Sequence, residues 1–300
     1  MIVDRAAIAI IAERRHLENP SIREAHGAFE DAGYSVEVVV PGGERLFEIP
    51  DEPPPWEAAL SRGRDLTGLA FLAATAALGV LAINTPHSIE LVRNKVAMQA
   101  VLLQHGLPMP RTWFAARPEV FRRVAHEQFP LVVKPYDGDG ARGLWLLSRP
   151  EDADRLPQLG DDRSIYLAQT HLETDGFDLK LYGIGSRIWA VRKPSPVRFP
   201  GPGPAEMRVT DGAQMVTLDP QLRDIALTCG RACGLDLWGV DVAMTPSGPV
   251  VIEVNDFPTY SAVPQAGALI AEHVLGRLNI EAVLGSAGRD KALSVIRTPQ

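Results

Sequence analysis

Oxygen and nitrogen donors recur in this 300-residue chain at spacings that suit a cation and phosphate groups. In the stretch from Val250 to Tyr260, VVIEVNDFPTY, three β-branched residues open a buried strand and Glu253 and Asn255 interrupt it. Side chains alternate faces along a strand, so Glu253 and Asn255 point one way and Ile252 and Val254 the other. Two oxygen donors on one face can grip a hard cation such as Mg²⁺. The same alternation also describes the solvated side of a half-buried strand. Asp241 lies upstream in GVDVAM, and an antiparallel pairing through the TPSG turn brings it back beside Glu253 and Asn255. Three oxygen ligands then converge, which is what magnesium bound to a polyphosphate needs, because the metal takes its remaining ligands from water and phosphate.

A second group surrounds Lys134 in LVVKPYDGDGARGL. A lysine ending a Val-rich strand, followed by Gly138, Gly140 and Gly143, can set an ammonium and bare backbone N–H groups around phosphates. The loop is not a Walker motif, since the lysine precedes the glycines and no helix follows. A plain hairpin turn is the alternative. A third group is basic: Lys180 on one strand of a hairpin, Arg192 and Lys193 ending the other, and Lys95 in an amphipathic helix. Each taken singly is an ordinary surface residue. No Ser/His/Asp or Cys/His arrangement stands out. Cys229 and Cys233 read as small residues on one helix face, without the further ligands a metal site needs.

The elements that would position these groups fall into two textures. The first ninety residues read as repeated βα units: strand AAIAIIA, helix SIREAHGAFEDAGY, strand SVEVVVP, a Pro-rich loop, an Ala-rich helix and strand VLAIN. That order favours a small parallel sheet covered by helices. HSIELVRNKVAMQAVLLQHG reads as one helix from Ser88 to Gly106, with LPMPRTW as a linker. From Phe129 the strands turn antiparallel. They end in the pair LWGVDVAMT and GPVVIEVND, and the Pro/Gly-rich 194–213 segment reads as a mobile loop. The fold class is therefore α/β followed by α+β. The expected divisions are 1–93, 94–172, 173–285 and a 286–300 tail.

Composition narrows the function classes. A net charge of −7 with no long Lys/Arg run argues against a nucleic-acid partner. The uncharged run from Leu66 to Pro86 is Ala/Thr/Gly-rich and split by Gly79, so it reads as a helix and a strand and not as a membrane span. Two cysteines and no signal-peptide layout make the cytoplasm the expected location.

Taken in order, Asn94-Lys95 in a helix, VVKP before a Gly-rich loop, AQTHL, DLK, GVD and EVN resemble the ATP-grasp superfamily, in its RimK-type ligase branch, from about Thr85 to Glu272. The resemblance implies an ATP-grasp fold: an N-terminal parallel-sheet domain and two α+β subdomains clasping ATP. It implies that Lys95 and Lys134 reach ATP phosphates and that Gln169, Thr170, His171 and Leu172 form the hinge that reads adenine. Asp178 would bind the ribose. Lys180, with Arg192 or Lys193, would face the transferring phosphoryl group, and Asp241, Glu253 and Asn255 would hold one or two Mg²⁺ ions, a role Mn²⁺ can fill. The implied activity joins a small acid to an amine through an acylphosphate, and homo-oligomerisation is left open. The pattern departs from the branch at Arg198, which no Asn follows in its lid motif, and at Pro258-Thr259, where Pro-Gly is usual. Kinase chemistry on a polyol or inositol phosphate is the alternative, because FPTY and KPS are similar to stretches of inositol trisphosphate kinases. A nucleotide sensor without turnover is the third reading.

Overall fold

The computed structural model describes residues 7–136, 143–156, 165–195 and 213–296, with side chains as far as Glu281. Gly138 and Gly140, and most of the Pro/Gly-rich loop, lie outside the described residues. The chain divides into two compact units, residues 1–87 with 259–300 and residues 88–258.

The first unit is built on a parallel sheet in the order β2-β1-β3-β4. Strand β1 (Ala7–Ala12) is buried at every position, as a central parallel strand covered on both faces must be. Helix α1 (Pro20–Asp31) starts where Asn19 accepts the Ser21 N–H at 3.0 Å, with Pro20 at the first helical position. Strand β2 (Ser35–Val39) follows it. Strand β3 (Trp56–Arg62) lies where a Pro-rich loop was expected to run straight into a helix. WEAALSR holds no β-branched residue, and Trp56 is its one residue with a strand preference. Burial of Ala58, Ala59 and Leu60 against β1 makes it a strand. Helix α2 (Leu66–Ala77), capped by Asp65, and strand β4 (Leu81–Ile83) match the reading of the uncharged run as helix and strand. No helix among the described residues is long and apolar enough to cross a membrane.

The second unit begins with two helices where one was expected. Helix α3 (Pro86–Arg93) stops, and Asn94 caps α4 (Lys95–Gln104) by accepting the Ala97 N–H at 2.9 Å. The break places Lys95 in the first turn of a new helix. Residues expected as a linker reach Thr112, where strand β5 (Thr112–Ala115) begins. With β6 (Leu131–Pro135), β7 (Trp145–Leu147) and β8 (Tyr166–Thr170) it forms an antiparallel sheet ordered β5-β8-β6-β7. A core of Phe121, Leu131, Val133, Leu147, Tyr166 and Ala168 holds that sheet.

A second antiparallel sheet follows, ordered β11-β10-β9-β12-β13. Strands β9 (Phe177–Ile184) and β10 (Arg187–Pro194) form the expected hairpin, and β11 (Gln214–Val216) adds an edge. Helix α5 (Pro220–Ala232) packs Leu222, Ala226 and Cys229 against Leu181, Trp238, Val240 and Val242. Both cysteines are buried in that core as free thiols, and burial pushes Cys233 up to about 11. The pair β12 (Leu237–Thr245) and β13 (Gly248–Asp256) is antiparallel and aligns Asp241 with Glu253 and Gly239 with Asn255.

The chain then returns to the first unit. Helix α6 (Ala266–Ile296) packs on α1, where the Gly267 N–H donates to Glu24 Oε2 at 2.8 Å and the Ser21 hydroxyl to the Thr259 carbonyl at 3.2 Å. The compact units are cut at 87 and 258, whereas the sequence reading divided the chain at 93, 172 and 285.

Candidate functional site

Period-two alternation sorts the central strands of the second sheet into a core face and a site face. On β12, Trp238, Val240 and Val242 enter the core while Gly239 and Asp241 face the other way. On β9, Leu179 and Leu181 are core, so Asp178 and Lys180 share the face of Asp241, with Lys180 directly opposite it. On β10, Ala190 is core, so Lys193 joins the site face and its neighbour Arg192 does not.

The site face gathers four lysines around two carboxylates. Lys95 Nζ donates to Glu253 Oε1 at 3.0 Å, and Lys134 Nζ lies 3.6 Å from Oε2 of the same carboxylate. Lys180 Nζ donates to Asp241 Oδ2 at 2.6 Å and Lys193 Nζ to Oδ1 at 2.9 Å. The Asn255 amide also donates to Asp241 Oδ2, at 3.0 Å, which leaves its carbonyl oxygen available as a ligand. No sequence neighbour neutralises these two carboxylates, and lysines from α4, β6, β9 and β10 do so in space.

The charges respond as the distances require. Burial alone would raise the Asp241 carboxyl, but Lys180 and Lys193 reverse this and hold it well below the usual carboxylate range. Burial would lower the Lys193 ammonium, and Asp241 more than compensates, so it is raised. Lys134 is lowered, first by burial and also by Lys95, with Glu253 opposing. Asp178 is pushed up to about 6, chiefly by burial, against a hydrogen bond from Ser195.

Beside this cluster is a cavity of about 540 Å³ lined by Gln169, Thr170, His171, Leu172, Asp178 and Ile252, among others. The 169–172 segment leaves the sheet at the end of β8. The His171 N–H donates to the Pro130 carbonyl at 2.9 Å, whereas the Leu172 N–H meets no acceptor among the described residues. Gln169 turns its amide inward to Thr112 Oγ1 at 3.1 Å, and Gln99 donates to the same oxygen at 2.8 Å. Through these bonds the Gln169 side-chain amide braces the segment.

Two placements differ from the sequence reading. Ile252 was expected to point away from Glu253, yet it lines the cavity. A register shift between Asp241 and Val242 sets Val251 opposite Val242 and leaves Ile252 over, so Val251 and Val254 pack in the core while Ile252, Glu253 and Asn255 all face the site. No single-strand pattern reveals such a bulge. Arg192 is the second. It lies on the core-side face at the strand end, donates to Asp175 Oδ2 at 2.9 Å and stacks its guanidinium 3.5 Å from the centre of the Phe177 ring. Alternation alone would have separated it from Lys193.

The donor set fits a cation that brings its own oxygen ligands. No three His, Cys, Asp or Glu side chains cluster as a metal site among the described residues. Two carboxylates and one amide under four ammonium groups would make only part of a shell for Mg²⁺, and the rest would have to come from oxygens such as those of phosphate or water.

Comparison with known proteins gives this geometry its setting. The model of the RimK-like ATP-grasp domain matches residues 92–277. A probable alpha-L-glutamate ligase of Vibrio atlanticus is 26% identical over 277 residues, covering 86% of this chain and 90% of the relative. Among solved structures, a RimK domain ATP-grasp protein of Sphaerobacter thermophilus superposes with a TM-score of 0.70 at 23% identity, covering 89% of this chain and 99% of that one. D-cycloserine synthetase DcsG does so at 0.72 and 20%, covering 91% and 100%. The matched span holds the lysines, the carboxylates and the cavity, and the chain belongs to the RimK-like ATP-grasp family of ligases.

Proposed function

We propose that the chain joins a carboxylate to an amine in an ATP- and Mg²⁺-dependent reaction that passes through an acylphosphate. The observation that carries this reading is the single sheet face on which Lys95, Lys134, Lys180 and Lys193 meet Asp241, Glu253 and Asn255, next to a cavity of nucleotide size. Phosphoryl transfer asks a protein for positioning and charge, which this face supplies, and not for a covalent nucleophile.

In this reading adenine lies against Ile252 and the 169–172 segment, with the Leu172 N–H offered to its edge. Asp178 accepts hydrogen bonds from the ribose hydroxyls. Lys95 and Lys134 exchange Glu253 for phosphate oxygens. A magnesium ion held by Asp241, Glu253 and Asn255 supplies neutralisation of the polyphosphate charge. Lys180 and Lys193 stabilise the γ-phosphoryl group as a substrate carboxylate oxygen attacks phosphorus and ADP leaves. An amine nitrogen then attacks the acyl carbon, phosphate departs, and the nitrogen loses a proton. The name of the Vibrio relative makes glutamate the first amine to try.

The test is phosphate release from ATP in the presence of Mg²⁺, glutamate and a small-metabolite extract. Asp241→Ala, Glu253→Ala and Asn255→Ala should each abolish it while the proteins stay folded. Full activity in any of the three would reject the site.

A further inference from the structure

Gly239 lies on the site face two residues before Asp241, between Tyr182 of β9 and Asn255 of β13. Its φ is outside the left-handed region, so backbone conformation does not call for glycine there. Space does. A Cβ at this position would lie 2.9 Å from Lys180 Cε and 3.1 Å from Pro258 Cγ. The lysine tail therefore lies across β12 directly over Gly239 before its ammonium reaches Asp241 Oδ2. Two other glycines in tight surroundings, Gly183 and Gly230, make room for the Trp238 ring on the core side. Gly239 makes room on the side where the chemistry is.

We infer that Gly239 is a positioning residue for Lys180. This rests on the proposed role of Lys180 at the transferring phosphoryl group. One methyl group added at 239 would sit between a stiff proline ring and the flexible end of a lysine. The lysine is the partner that can move, since rotation about its methylenes costs little compared with distortion of a ring fixed to the backbone. The fold is then retained, and the Nζ is displaced from the place where Asp241 holds it. Displacements on the order of 1 Å at a reacting centre cost about 10²-fold in rate.

The experiment is Gly239→Ala, with Lys180→Met as its companion, in the phosphate-release assay with glutamate and metabolite extract. The expected result for Gly239→Ala is a kcat lower by roughly 10- to 100-fold with an ATP KM within about twofold of wild type, the pattern of an interaction made only in the transition state. A second readout is independent of turnover. After isotope-labelled reductive methylation, the NMR signal of Lys180 should shift in Gly239→Ala while the other lysines keep theirs. Wild-type kcat together with an unmoved Lys180 signal would overturn the inference. Should Lys180→Met itself keep full turnover, the role given to Lys180 falls, and this inference with it. A Lys180→Met protein without activity beside a fully active Gly239→Ala would sink the inference alone. If Gly239→Ala folds poorly, Gly239→Ala/Lys180→Ala should melt at the same midpoint as Lys180→Ala alone, because with the tail gone the added methyl has no lysine to displace. A midpoint clearly below that of Lys180→Ala would assign the clash to Pro258 and contradict the inference.

Discussion

Glu253 serves two ammonium groups at once, and both are buried: Lys95 is 3% exposed and Lys134 8%. Removing the charge at Glu253 would leave two desolvated cations facing an amide. Breaking a buried pair in this way costs about 3 kcal/mol or more. Glu253→Gln should therefore lower the urea midpoint as well as turnover, and an unchanged midpoint would mean the lysines find other partners. Arg192 and Lys193 give the opposite comparison. Lys193→Ala should lose turnover, while Arg192→Ala should keep most of it and cost below about 1 kcal/mol, since its partner Asp175 is at the surface. Asp178 adds a pH dependence. Its carboxyl is raised to about 6, mainly by burial, with Lys193 and Ser195 lowering it and Asp241 and Asp175 raising it. Below that value it is protonated, and above it the carboxylate can accept from both ribose hydroxyls. The ATP KM should fall as pH rises through about 6, and Asp178→Asn should remove that step; an identical profile in the variant would take Asp178 out of nucleotide binding. Glu253 was legible from type and spacing, whereas Asp178, Arg192 and Lys193 stood out only through the ordered motifs of the family resemblance. The face each one takes was legible where the strand is regular, and alternation along β10 already parts Lys193 from Arg192, which the sequence reading takes together.

Helix and strand irregularities set where the site residues point. The break at Asn94 turns one expected helix into two and starts α4 on Lys95. Asn94→Ala should cost roughly 1 kcal/mol for the lost cap and raise the ATP KM, because the helix start that presents Lys95 would fray. Thermal melts and steady-state kinetics check both, and an unchanged KM would separate the cap from nucleotide binding. The bulge in β13 does the same work for Ile252. Neither feature is written in hydrophobic periodicity: Asn94 sits within an amphipathic run that continues past it, and a bulge is a property of two strands paired. Strand β3 was missed for a related reason. Its alanines carry no strand preference, and only their position between β1 and β4 makes them one.

At the scale of the whole chain, the order of motifs was legible because each lies on its own element, and the matched span of 92–277 coincides with them. The return of the chain to its first unit was not. Helix α6 holds none of the site residues named above, and its contact with α1 joins residues 243 apart in the chain. Their contact depends on Gly267, where a Cβ would come within 2.5 Å of the Ala25 nitrogen and the Ser21 carbonyl oxygen. Backbone cannot give way as a lysine tail can. Gly267→Ala should therefore destabilise by about 1–3 kcal/mol, seen as a lower thermal midpoint; an unchanged midpoint would show that the helices can separate slightly at no cost. The central claim concerns the reaction. The most direct measurement follows the γ-phosphate: the protein is incubated with γ-labelled ATP, Mg²⁺, glutamate and a small-metabolite extract, and inorganic is separated from organic phosphate. The account expects label released as inorganic phosphate, and only when the extract or its active fraction is present. Label retained in a stable organic phosphate would mean that the phosphoryl group is the product and not a leaving group, and would contradict the ligase.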